Sequence, residues 1–188
     1  SSDLYNLTAM LRVLFNSEWF KAARFEKVKS PAETVAGTMR LVQDFTSPKP
    51  GLHPIAMEIR YMGQDLMNPP TVEGWHTGRE WINSGAMINR VNFVSERVSN
   101  TELPGVKEII RRVTENGNSD NHNITAKDLV DRCLYEMGPL EVTEKTHNEL
   151  MEHVLKGQPL SWSNNQEYES VSKRVGEVLA LIAGTREY

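Results

Sequence analysis

Eight capped segments in this chain carry apolar residues at helical spacing, and no segment alternates apolar and polar residues as a strand would. That pattern predicts an all-α fold, an irregular bundle of about eight helices. The clearest start is Ser30-Pro31-Ala32-Glu33, which puts a cap, a proline at the first helical position and a reciprocating glutamate in order. The helix it opens carries Val35, Met39 and Val42, and it fades before Pro48 and Pro50, which cannot continue it.

The other segments follow the same logic. A first helix over 3–15, capped by Ser2 or Asp3, carries Leu7, Met10, Leu11, Leu14 and Phe15, and Ser17 starts a short extra turn with Trp19 and Phe20. Further helices are predicted over 54–63, 84–98, 104–116, 126–137, 144–157 and 165–183. Thr125-Ala126-Lys127-Asp128 resembles a second capping box, and Gly138-Pro139 stops the helix it opens. The polar run 116–123 reads as a turn or mobile loop without the acidic spacing of a calcium loop. No repeat of fixed period is present. With 188 residues, one helical domain over 1–188 is the default, or the same chain as two lobes, 1–100 and 101–188.

Composition narrows the function classes. Lys and Arg number 21 against 25 Asp and Glu, and a net charge of -4 argues against a general nucleic-acid binder. The densest basic patch, Lys107 with Arg111 and Arg112, suits a solvated helix face. No apolar run approaches the ~18 residues of a membrane span. No signal peptide is legible, since the first residues already read as helix. Cys133, the single cysteine, excludes an intrachain disulfide and sits between Val130 and Leu134 in an apolar pattern, as a buried thiol does.

One long loop breaks the helical pattern. Residues 63–83 hold Trp75, Trp81, Pro69, Pro70, Gly63, Gly74 and Gly78 among polar and charged side chains. Ordered loops of this length are uncommon in compact domains and are often functional. The structural reading pins the loop through Leu66, Met67, Trp75 and Trp81, with Gln64, Asn68 and Asn83 satisfying its backbone and Arg79 bridging to Glu73 or Asp65. The functional reading makes Glu73, Trp75, His76, Arg79, Trp81 and Asn83 a candidate binding site.

At this loop the chain resembles a bacterial family called domain of unknown function 1800. The residues that carry the likeness are Met62-Gly63-Gln64-Asp65-Leu66-Met67-Asn68-Pro69-Pro70, Gly74-Trp75, Trp81-Ile82-Asn83 and Arg90-Val91-Asn92-Phe93. Ser17-Glu18-Trp19-Phe20, Val28-Lys29-Ser30-Pro31-Ala32-Glu33 and the closing Leu181-Ile182-Ala183-Gly184-Thr185-Arg186-Glu187-Tyr188 extend it over most of the chain. The resemblance implies the C-terminal part of a longer, exported bacterial protein, often encoded beside a sulfatase-like partner. It implies no activity. His76 stands where the family usually has proline, so any role for it is private to this chain.

Catalytic signatures are few. No G-x-S-x-G elbow, dinucleotide fingerprint or phosphate loop occurs, and no catalytic residue or cofactor is predicted. Glu144-x-x-His147 places two metal-ligand types on one helical face, but a structural zinc needs four ligands, so no metal is predicted. Two functions from different classes remain. One is a binding or scaffold module of a larger exported protein. The other is the C-terminal part of a hydrolase-like enzyme, its site completed by an N-terminal region outside this sequence.

Overall fold

A computed structural model describes residues 6–115, 123–157 and 160–188. Among the described residues nine α-helices run in order: α1 Leu7–Asn16, α2 Glu18–Ala22, α3 Pro31–Val42, α4 Leu52–Tyr61, α5 Ser84–Ser99, α6 Pro104–Glu115, α7 Ala126–Met137, α8 Glu144–Leu155 and α9 Asn165–Ala183. A single 3-10 turn, Gly78–Trp81, precedes α5. Among the described residues the only extended pairings are two isolated bridges, Thr71 with Gly74 and Asn123 with Ser161. The fold is all-α. The expected caps at Ser2 and Asp3 and most of the polar 116–123 run lie outside the described residues.

The caps form as their residue types require. Glu33 N–H donates to Ser30 Oγ at 3.3 Å while Glu33 Oε2 accepts from Ser30 N–H at 2.8 Å, a reciprocal box. Asn6, Ser17, Asn83, Thr125, Thr143 and Asn164 each accept from a backbone N–H three residues on, opening α1, α2, α5, α7, α8 and α9. Two arginines close helices from outside. Arg132 donates to Val113 O at 2.7 Å near the end of α6, and Arg174 donates to His153 O and Val154 O at 3.1 and 3.0 Å at the end of α8.

One contiguous apolar core runs from α3 to α9. α9 is its axis: Val175, Val178, Leu179 and Ile182 are fully buried, and the most extensive helix pairing is α9 with α5. Cys133 is buried in this core, and burial pushes its thiol well above the ordinary range, with the charge of Glu136 adding to the rise. α3 crosses α6 so closely that a Cβ on Gly105 would lie 2.1 Å from Leu41 O, so only glycine allows the approach. α1 contributes no buried residue to the core, and neither does α2. No helix among the described residues is long and apolar enough to cross a membrane.

Candidate functional site

The 63–83 loop leaves α4 through Gly63, whose φ of +100° turns the chain away where other residues would be strained. Gly63 N–H and Gln64 N–H donate back to Arg60 O and Ile59 O at 2.9 and 3.0 Å, closing the helix end. Gln64 is then buried, and its Oε1 accepts from Ala32 N–H at 2.9 Å. That bond ties the loop to the first turn of α3, where the backbone N–H groups have no helical acceptor.

Asp65 is the hub. Its carbonyl accepts the Trp75 indole N–H at 3.1 Å and the Asn68 backbone N–H at 3.1 Å, while its carboxylate meets Asn68 Nδ2 at 3.2 Å and Arg60 Nε at 3.5 Å. Beyond it, Gly74 at φ +105° closes a tight turn, donating its N–H to Thr71 O at 3.1 Å and accepting from Thr71 Oγ1 at 3.2 Å. The 3-10 turn that follows was not expected. Its signal is present in Thr77-Gly78-Arg79-Glu80, a capping-box pattern: Glu80 Oε2 accepts from Thr77 N–H at 3.1 Å. Trp81 closes the turn, only 6% exposed.

The six candidate residues divide by role. Trp81 is a buried anchor, Trp75 is half-buried and held by its N–H, and Asn83 caps α5 by accepting from Ala86 N–H at 2.9 Å. His76 is exposed, its ring edge-on to Trp81 at 6.4 Å and its Nδ1 3.6 Å from Glu80 Oε2. Glu73 and Arg79 are exposed, and neither side chain makes a hydrogen bond or ion pair among the described residues.

The expected Arg79 bridge is therefore absent. Asp65 is already occupied by Arg60, Asn68 and Trp75, and Arg79 sits on the outer side of the 3-10 turn. Two further expectations change. Trp75 is less enclosed than a core aromatic. Leu66 and Met67 face solvent instead of pinning the loop, Met67 being 93% exposed. Asn68 bonds to the Asp65 side chain within the loop, and Gln64 ties the loop to α3.

Sequence reasoning did not find how α5 reaches α3. Arg90 Nη1 donates to Lys29 O at 2.8 Å and to Thr34 Oγ1 at 3.3 Å, while its buried Nε and Nη2 have no partner. Lys29 is exposed overall, its ammonium 4.6 Å from the centre of the Tyr188 ring. Partial desolvation lowers the Lys29 pKa, partly opposed by Glu33, and burial raises that of the Tyr188 hydroxyl. Lys29, Arg90 and Tyr188 stand far apart in sequence, so no local spacing marks them as neighbours.

Glu144 and His147 do not combine. His147 Nε2 lies 2.7 Å from Asp131 Oδ1 on α7, an ion pair when the ring is protonated. Among the described residues no three His, Cys, Asp or Glu side chains converge as a metal site.

No curated protein matches the chain. No solved structure matches it either. The family model described as protein of unknown function (DUF1800) matches residues 1–188, and the chain belongs to that family.

Proposed function

We propose that this chain is a binding or scaffold module of a larger exported bacterial protein, working through the 63–83 loop and the helix surfaces beside it. One observation carries the reading: the loop is fixed from within and apolar without. Gln64, Asp65, Trp75 and Trp81 hold its path, while Met67 and Val72 stand almost fully in solvent and Leu66 and Ile82 are nearly half exposed. Tyr61, Met87 and Ile88 add exposed apolar surface on the flanking helices. A preformed loop orders few side chains on binding, so more of the contact energy appears as affinity. Arg79 and Glu73, free of internal partners, supply the polar contacts that set orientation.

The family resemblance supports export and a sulfatase-like protein encoded alongside as the partner. The enzyme alternative needs Glu73 and Arg79 in a closed pocket, whereas both are exposed. The test is titration calorimetry of the chain against the co-encoded sulfatase-like protein. Met67→Glu with Val72→Glu is expected to abolish binding while leaving stability within about 0.5 kcal/mol, as exposed substitutions do. Binding undiminished in that variant removes the loop from the interface, and no binding by the unaltered chain removes this partner.

A further inference from the structure

We infer that residues 184–188, which follow α9, are a releasable strap through which the starts of α8 and α3 open and close together. The strap stands apart from the proposed role of the 63–83 loop. α8 packs chiefly on α7 and α9, and α3 on α4, α5 and α6, so the two helices have different neighbours. Adjacent strap residues reach one helix each: Glu187 meets α8, and Tyr188 meets α3.

The start of α8 is incomplete without the strap. Thr143 caps it, its Oγ1 accepting from Thr146 N–H at 3.2 Å. A capping box is then closed by a carboxylate or amide three residues on, as Glu33 does for Ser30. In α8 that position is Thr146, which has neither. Glu187 supplies the carboxylate from 44 positions away. Its Oε1 accepts from Thr143 N–H at 3.3 Å and from Thr146 Oγ1 at 2.9 Å. The first turn of α8 therefore depends on a side chain outside the helix.

Tyr188 is the second anchor. Its ring packs against the apolar core, its hydroxyl meets the buried Thr38 side chain, and the Lys29 ammonium lies 4.6 Å from the ring centre. Lys29 immediately precedes the Ser30 cap of α3. The strap leaves α9 in a fixed direction, because Thr185 donates both its N–H and its hydroxyl to Ile182 O, at 3.0 and 2.7 Å. Glu187 and Tyr188 are thus seated or released as one unit. So few contacts hold them that the strap belongs to the part of the fold that opens locally while the core stays closed. A second tie near the same helix starts, Arg24 with Glu141 at 3.3 Å, is exposed at both ends and contributes little. Glu187 also helps to wall an open groove of about 690 Å³ between α8 and α9, beside Thr146, Leu150 and Leu181, so release of the strap reshapes that groove.

Hydrogen–deuterium exchange of the 188-residue chain tests this, read in peptides from the start of α3, the start of α8 and the buried middle of α9. Glu187→Ala and Tyr188→Ala are each expected to speed exchange ~10-fold at both helix starts, the effect of losing a cap, with α9 unchanged. Glu187→Gln, which keeps an acceptor oxygen for Thr143, is expected to exchange like the unaltered chain. So is Arg186→Ala, at an exposed strap position whose side chain has no partner among the described residues. A rise confined to α8 in the first variant and to α3 in the second would mean two separate anchors and no strap. A rise that extends through α9 would mean general loosening of the fold, and no rise at either start would mean that the strap holds nothing. Each of these three results overturns the proposal, as does a matching rise in Arg186→Ala.

Discussion

The two ends of this molecule handle apolar side chains in opposite ways. Among the described residues 20 large hydrophobic side chains are exposed to solvent; 17 lie between Leu7 and Ile88, and only Tyr135, Leu155 and Leu181 lie beyond. The later helices thus complete their own core, whereas the earlier elements supply part of a core and present the rest outward. The contrast is sharpest between α1 and α9. Both are capped by an asparagine and both carry apolar residues at helical spacing. α9 buries eight residues and α1 none. Capping and periodicity decide that a helix forms, and neighbours decide what it buries.

The largest expected effect comes from testing that contrast directly. Leu179→Ala removes a core side chain that is 0% exposed and is expected to cost about 2–5 kcal/mol. Leu11→Ala, at 47% exposure, is expected to cost under ~1 kcal/mol. Denaturant titrations read both. Comparable losses would mean that α1 is covered after all, and the contrast would fail.

The two loop tryptophans sharpen the comparison at smaller scale. Trp81→Ala is expected to cost about 3 kcal/mol because its ring is enclosed. Trp75→Ala is expected to cost about 1–2 kcal/mol, one partly buried ring and one hydrogen bond to Asp65 O. Equal losses at the two positions would show that the loop is held as much at its middle as at its end.

Much of this was legible in the sequence because it is local. Ser30-Pro31-Ala32-Glu33 and the Gly138 stop act within a few residues, and the helix starts at α3, α5, α6, α7, α8 and α9 fall at or next to the expected places. The illegible parts depend on distant partners. Gln64 reads as a loop residue, yet it serves Ala32 from 32 positions away, and Arg90 serves Lys29 from 61. The same limit explains Arg79: proximity in sequence suggested Asp65, but Arg60 on the preceding helix occupies it. In the candidate site, the types of residue were readable but their directions were not, so anchors and outward contacts could not be separated.

A smaller effect tests the α3 cap. Hydrogen bonding from Lys27, then the Ser30 backbone N–H, holds the Glu33 carboxylate down to about 2 from the usual 4.5. The depressed value means that the stabilisation is present above the unfolded pKa and is lost as pH falls from about 4.5 towards 2. Glu33 and Lys27 are largely solvent-exposed, so screening keeps the contribution under about 1 kcal/mol. Thermal melts of the unaltered chain and of Glu33→Gln are expected to differ at pH 6 and to converge near pH 2. A gap that persists in acid would show that the carboxylate is not what secures the start of α3.

The smallest expected effect is also the most informative about the loop. Arg79 lies on an exposed 3-10 turn with no internal partner for its guanidinium, so folding gains nothing from its charge or its planar fork. The unaltered chain, Arg79→Lys and Arg79→Ala are expected to melt alike, within about 0.5 kcal/mol of one another. If instead lysine failed nearly as badly as alanine, the fork would be bridging loop acceptors after all, and the loop would be a clasp with nothing spare. If the three melt alike and yet differ in binding the proposed sulfatase-like partner, with lysine intermediate, then Arg79 is held out by the turn for a carboxylate or carbonyl on that partner. Unchanged stability with unchanged binding would leave Arg79 with no part in either the fold or the interface, and the apolar residues Met67 and Val72 would carry the contact without it.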